Sequence, residues 1–239
     1  MAILPRVQPG TADNQKLLEA VLFARALQSI QAMTVLAERA MTGDARTLLR
    51  SCCETAIFQR KLHLDAAFGD RLHERHDFHQ RKLANALLSD PSSTAELTPQ
   101  QVQLLRVVVA EIDGRYPVRK PADVNLAAIA ASVSGMALYD LIFRSTSGDA
   151  AHSTLNSLVR HVVSDQDNNI IGLRFGPQTD DLADTLSGGI SVLLHVLDAA
   201  IESFGLLDVR DQLAEALHRW KELVEADRRK YERPVAAVR

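Results

Sequence analysis

The chain has 239 residues, 46% of them hydrophobic and 24% charged, with a formal net charge of -3. That balance excludes a disordered polar chain and gives no overall pull on phosphate, so nucleic-acid binding would need a local basic patch. Aromatic residues make up only 5%, with Trp220 the single tryptophan, which points to an aliphatic, Leu- and Ala-rich helical core rather than a β-sandwich.

In chain order, Asp13 is a candidate cap for a first long helix whose apolar positions Leu17, Val21, Ala24, Leu27, Met33 and Leu36 recur at helical spacing. Gly43-Asp44 is the expected break. A second helix from about Ala45 to Ala67 carries Leu48, Leu49, Cys52, Ile57 and Leu64 at the same spacing. Gly69-Asp70 is expected to separate it from a third helix, about Arg71 to Leu88, which ends before Pro91. Residues 89–97 read as a loop. Thr98-Pro99-Gln100-Gln101 then carries a cap, a first-turn proline and a capping-box glutamine.

That helix is expected to run to about Asp113, followed by a proline-bearing connection and a long helix from about Asp123 to Arg144. Ser145 to Gly148 breaks it, and Asp149 is the expected cap of a helix from Ala150 to Val163. Residues 165–177 are the one segment expected to hold strand, at most a short hairpin through Ile170-Ile171 and Leu173 to Phe175. Two more helices, about 178–204 and 209–231, complete an all-α bundle of about eight helices in a single domain spanning 1–239, with 1–12 and 232–239 expected to be flexible.

The N-terminal residues MAILPRVQPG lack a charged region followed by an apolar run, so a cytoplasmic location is expected. The most apolar stretch, 126–143, is interrupted by Ser132, Ser134, Gly135 and Asp140. It suits a buried helix better than a lipid-facing one, and no membrane contact is expected. Cys52 and Cys53 are too few for a disulfide framework and lack metal or redox spacing, so they are expected to be buried reduced thiols.

Three constellations could carry chemistry. Arg46, Arg50 and Glu54 lie four apart on one helix face, where Glu54 can pair with Arg50. They form either a surface ion pair or an arginine fork for a carboxylate or phosphate. Tyr139, Ser145, Ser147, His152 and Ser153 straddle the break between two helices, where a neutral His152 could act as a general base or serve merely as a hydrogen-bonded hinge residue. In the third helix, His76 and His79 share a face with Leu72, Leu83 and Leu87 and could point inward. His73 fans away, and two histidines without a third ligand make a poor metal site. No cofactor is implied. The phosphate loop, GxGxxG, GxSxG and HExxH signatures are all missing.

Residues 45–57 (ARTLLRSCCETAI) and 139–158 (YDLIFRSTSGDAAHSTLNSL) resemble a widespread bacterial family known only as a domain of unknown function, which joins an Arg-x-x-x-Glu helix to a later Tyr, Ser and His segment. The matching positions are Arg50, Glu54, Tyr139, Ser147 and His152, and the likeness spans about residues 15–205. It implies an all-helical fold and brings no reaction with it. Such helical proteins resemble the HEPN superfamily, many of whose members act in phage defence or toxin systems. Arg71 and His76 fit the Arg-x(4 to 6)-His spacing of its nucleases, but chance gives about two such spacings in a chain of this composition, so the pair identifies no nuclease. The expectation is therefore a polar pocket with His152 as base, Arg50 stabilising negative charge and Tyr139 positioning the substrate, with Arg46, Glu54, Ser147 and Ser153 binding it. The ligand would be an anion, a nucleotide or RNA, cleaved without a metal if the chain is an enzyme. The alternative is an interaction module, with a homodimer among its expected assemblies, whose polar residues form a structural network.

Overall fold

The computed structural model describes Val7, residues 14–150 and residues 154–231. The expected flexible ends, the Asp13 cap, His152 and Ser153 lie outside these residues, apart from Val7. The fold is all-α, with ten α-helices among the described residues rather than eight: α1 (Asn14–Glu38), α2 (Thr42–Leu64), α3 (Phe68–Ser89), α4 (Pro91–Glu96), α5 (Pro99–Arg115), α6 (Leu126–Ser132), α7 (Ser147–Ala150), α8 (Leu155–Val159), α9 (Leu182–Phe204) and α10 (Arg210–Tyr231). A π-helix covers Leu138–Phe143, a 3-10 turn covers Leu207–Val209, and strands β1 (Val162–Ser164) and β2 (Ile170–Leu173) form an antiparallel hairpin.

The core lies where α1, α2 and α9 meet. Phe23, Ala26 and Met33 of α1, Leu49, Cys52, Cys53, Ala56 and Ile57 of α2, and Val192, Val196 and Ala200 of α9 are all buried there. The inward face of α1 matches the expected one in part: Met33 is buried and Leu27 and Leu36 pack against the core, whereas Leu17, Val21 and Ala24 are exposed and Phe23, Ala26 and Ala37 are buried. Apolar residues surround this helix, so spacing does not select a face, and packing against its neighbours does. Helices α1 and α9 are each long and apolar enough to cross a membrane by length and composition, which is equally the signature of a core helix, and both pack against α2 in this bundle. Small residues let the helices approach. A Cβ added at Gly189 would come within 2.3 Å of Met33 Cε across the α1–α9 crossing.

Several boundaries move from their expected places. The first break falls at Ala40, which adopts a left-handed φ of 55°, and Gly43 and Asp44 sit in the first turn of α2, where an acidic residue is favoured. Likewise Gly69 and Asp70 lie inside the first turn of α3, because buried Phe68 anchors that helix against Phe58, with ring centroids 5.7 Å apart. Part of the expected loop at 89–97 is α4, capped by the Asp90 carboxylate, which accepts from Ser93 N at 3.0 Å. The capping box of α5 forms as expected: Thr98 Oγ1 accepts from Gln101 N at 3.2 Å and Gln101 Oε1 accepts from Thr98 N at 2.8 Å.

The expected helix over 123–144 is divided. Ser134 takes a φ of 56°, and Gly135 N donates to Ala130 O at 2.8 Å, closing α6 before the chain resumes as the π-helix. The expected helix from Ala150 to Val163 is also divided: Thr154 caps the short α8, and the β-branched pair Val162-Val163 joins the hairpin.

The inward face of α3 is corrected as well. His76 and His79 are exposed, and the buried positions are Glu74, Asp77 and Ala84. Glu74 accepts from Arg119, from Arg71 and from Ala122 N (3.1 Å), and Asp77 accepts from Arg115 Nη2 (2.7 Å) and Tyr116 Oη (3.0 Å). The end of α5 and the connection after it thus lie over α3, and Arg115 and Arg119, with Arg71 of α3 itself, are the cations that make the buried carboxylates tolerable.

Candidate functional site

The break after the π-helix rests against the outer face of α2, and arginines of α2 hold it there. In the π-helix Arg144 N donates to Tyr139 O at 2.9 Å, a five-residue step that leaves the rings of Tyr139 and Phe143 stacked, with centroids 5.3 Å apart and 17° between planes. The Arg50 guanidinium lies 4.1 Å from the Phe143 ring centroid, an arrangement in which the ring quadrupole attracts the cation. Arg50 Nε also donates to Ser147 Oγ at 3.2 Å, and that hydroxyl donates to Phe143 O at 2.6 Å. Arg50, Ser147 and the Tyr139–Phe143 stack are therefore neighbours in the structure.

One turn earlier on α2, Arg46 Nε donates to Asp149 Oδ2 at 2.5 Å and Arg46 Nη2 to Ser145 O at 2.9 Å. Asp149 lies within α7 rather than ahead of a helix. Its other oxygen accepts from Arg160 Nε at 3.1 Å, and Arg160 Nη2 reaches Asp181 Oδ2 at 2.5 Å. The Asp149 side chain is 8% exposed, between Arg46 at 11% and Arg160 at 17%. This chain of charges ties α2, α7, the residue after α8 and the start of α9 into one unit. The segment before α9 is held in turn by Gln178 N donating to Ala40 O at 2.7 Å and Thr42 Oγ1 to Gln178 O at 2.6 Å.

Glu54 does not join the group. It pairs with Arg75 of α3, Oε1 to Nη2 at 2.6 Å, rather than with Arg50, because α3 brings a second guanidinium to it while Arg50 turns toward Phe143. His152 and Ser153 fall outside the described residues. Arg71, half of the Arg-x4-His spacing, is engaged with Glu74, while His76 is exposed. Among the described residues no group of three or more His, Cys, Asp or Glu could hold a metal ion. Burial pushes both Cys52 and Cys53 thiols up to about 12, with the neighbouring Cys52 thiolate adding to the effect at Cys53.

Outside this network opens a cleft of about 710 Å³ bordered by Arg46, Arg144, Asp149, Arg160, Arg174 and Asp181. Arg144 and Arg174 are 67% and 42% exposed, and their partners are the exposed Asp140 (3.3 Å) and Asp180 (3.0 Å). The sequence reading named Arg46 but missed Arg144, Arg160 and Arg174 as members of one group, since they come from separate elements. Only the run of residues around the break pointed toward the place.

No curated protein and no solved structure matches the chain. A family model matches residues 17–170, from the first turn of α1 to the first residue of β2 and so short of α9. With that match covering more than half of its length, the chain belongs to DUF5677, a family of unknown function.

Proposed function

We propose that the chain binds a small phosphate-bearing anion of nucleotide type in the arginine cleft. The observation that carries this reading is the four guanidinium groups around one opening, of which Arg144 and Arg174 have only exposed carboxylate partners. Exposed pairs of that kind contribute at most about 1 kcal/mol, so a phosphate can replace the carboxylate at small cost and gain charge-assisted hydrogen bonds. Arg46 and Arg160, fixed by Asp149, shape the floor rather than exchange partners. In the catalytic version, His152 takes a proton from an RNA 2′-hydroxyl, Arg50 and Tyr139 act from behind the break through Ser147 and Phe143, and the chain is a nuclease resembling the HEPN group.

Calorimetric titration of the full chain with inorganic phosphate, AMP and a short RNA tests the binding. Saturable binding of at least one is expected, weakened about tenfold or more in the double variant Arg144→Ala/Arg174→Ala with an unchanged melting temperature. No saturable binding, or equal affinity in the double variant, overturns it. RNA cleavage that survives His152→Ala overturns the catalytic version alone. A second reading, a structural network within an interaction module, draws on the near-burial of Asp149 between two arginines. It requires that the Asp149 and Arg46 variants lose stability while no anion binds.

A further inference from the structure

Between α9 and α10 lies a second opening of about 360 Å³, walled by Leu194, Leu217, Trp220 and Val224, with Ser191 and His195 at its edge. It shares no lining residue with the arginine cleft. Ser191 and His195 also line a neighbouring cavity of about 560 Å³ that runs along α9, so the two spaces meet at the histidine ring. The volume is that of a small-molecule pocket, and the wall is apolar apart from this junction and the charged pair Lys221 and Glu225.

The His195 ring is oriented by its own helix. Nδ1 stands 2.8 Å from the carbonyl oxygen of Ser191 one turn earlier. A carbonyl only accepts, so Nδ1 carries the hydrogen, and the neutral ring presents the Nε2 lone pair. No described residue supplies a partner for Nε2. Ser191 adds no donor, because its hydroxyl donates to Ser187 O at 3.0 Å. Lys221 and Glu225 flank the mouth with opposite charges, which leaves no net preference for an ion.

We propose that this crevice binds a small neutral aromatic molecule bearing an O–H or N–H donor, its ring against Trp220 and its donor on His195 Nε2. Aromatic pairing and apolar burial hold the ring, and the single acceptor selects for the donor, since a ligand without one would cover His195 Nε2 and leave it unpaired. The proposal is independent of the arginine cleft.

Trp220 is the only tryptophan, so the full chain gives one indole N–H signal in a ¹H–¹⁵N NMR spectrum. Titration with phenol is expected to shift that signal saturably, and anisole, which has the ring without the donor, is expected to bind about tenfold more weakly. In His195→Leu, an exposed position where the fold should not suffer, phenol should fall to within about twofold of anisole. An indole signal that phenol does not move overturns the proposal. So does equal binding of phenol and anisole by the parent, or an undiminished preference for phenol in His195→Leu. A signal that moves with protein concentration and not with phenol also overturns it, because a second copy of the chain would then cover the crevice.

Discussion

Replacing Asp149 by alanine removes the carboxylate that Arg46 and Arg160 share at 2.5 and 3.1 Å. Were the three groups exposed, the loss would be at most about 1 kcal/mol; breaking a fully buried pair costs about 3 to 5 kcal/mol. Here the carboxylate is 8% exposed, yet each arginine keeps one partner after truncation, Ser145 O for Arg46 and Asp181 for Arg160. The expected cost is therefore about 2 to 3 kcal/mol, or about 4 to 12 °C in melting temperature for a chain of this size. Thermal and urea unfolding followed by circular dichroism measure it, and a cycle with Arg46→Ala should return a coupling of at least about 0.5 kcal/mol. A loss below about 0.5 kcal/mol, or strict additivity with Arg46→Ala, would refute the claim that Asp149 joins the elements around the break.

Gly189→Ala places a methyl within 2.3 Å of Met33 Cε, the far end of a flexible side chain that can move aside, and is expected to cost no more than about 1 kcal/mol; the urea midpoint reports it, and a larger loss would show that the α1–α9 crossing cannot give way. Cys52 and Cys53, buried and with thiols pushed up to about 12, should stay unreactive to Ellman's reagent in the native chain at pH near 8 and react when it unfolds; rapid native labelling would contradict their burial. The Arg119 guanidinium, followed by Ala122 N and the Arg71 charge, holds the Glu74 carboxyl below the usual glutamate value despite its burial. Its contribution is thus complete above the unfolded-state pKa and is lost as pH falls through the lower folded-state value. Melting temperature plotted against pH should fall more steeply in acid for the parent than for Glu74→Gln, and parallel curves would show that Glu74 gains nothing from its arginines.

The parts of the fold legible in the sequence are those whose signals are local. The capping box at Thr98 and Gln101 needs only four consecutive residues, and the spacing of Leu49, Cys52 and Ile57 marks the buried face of α2. Helix α1 offered no such choice because its apolar residues run all the way round. The buried face of α3 ran against hydropathy: Glu74 and Asp77 are inside because Arg115 and Arg119 cross over them, and a pattern of apolar residues contains no trace of that. Strand β1 was hidden within helical spacing, although the Val162-Val163 pair favoured extended backbone. The family resemblance named Arg50, Tyr139 and Ser147, which lie beside the cleft without lining it. The partner of Arg46 was not legible, since Asp149 lies 103 residues away and no spacing rule links the two.

The place of α9 bears on what the family region is physically. The matched residues end at Ile170, yet Val192, Val196 and Ala200 of α9 close the core that α1 and α2 begin. A fragment cut after residue 170 would present Leu49 and Met33, which lie against Gly188 and Gly189 of α9, to water along an open trough, a surface prone to self-association. The stretch by which this chain is recognised is thus smaller than the stretch that folds, and expression of the matched region alone should yield aggregated or loosely packed material unless another helix takes the vacant place.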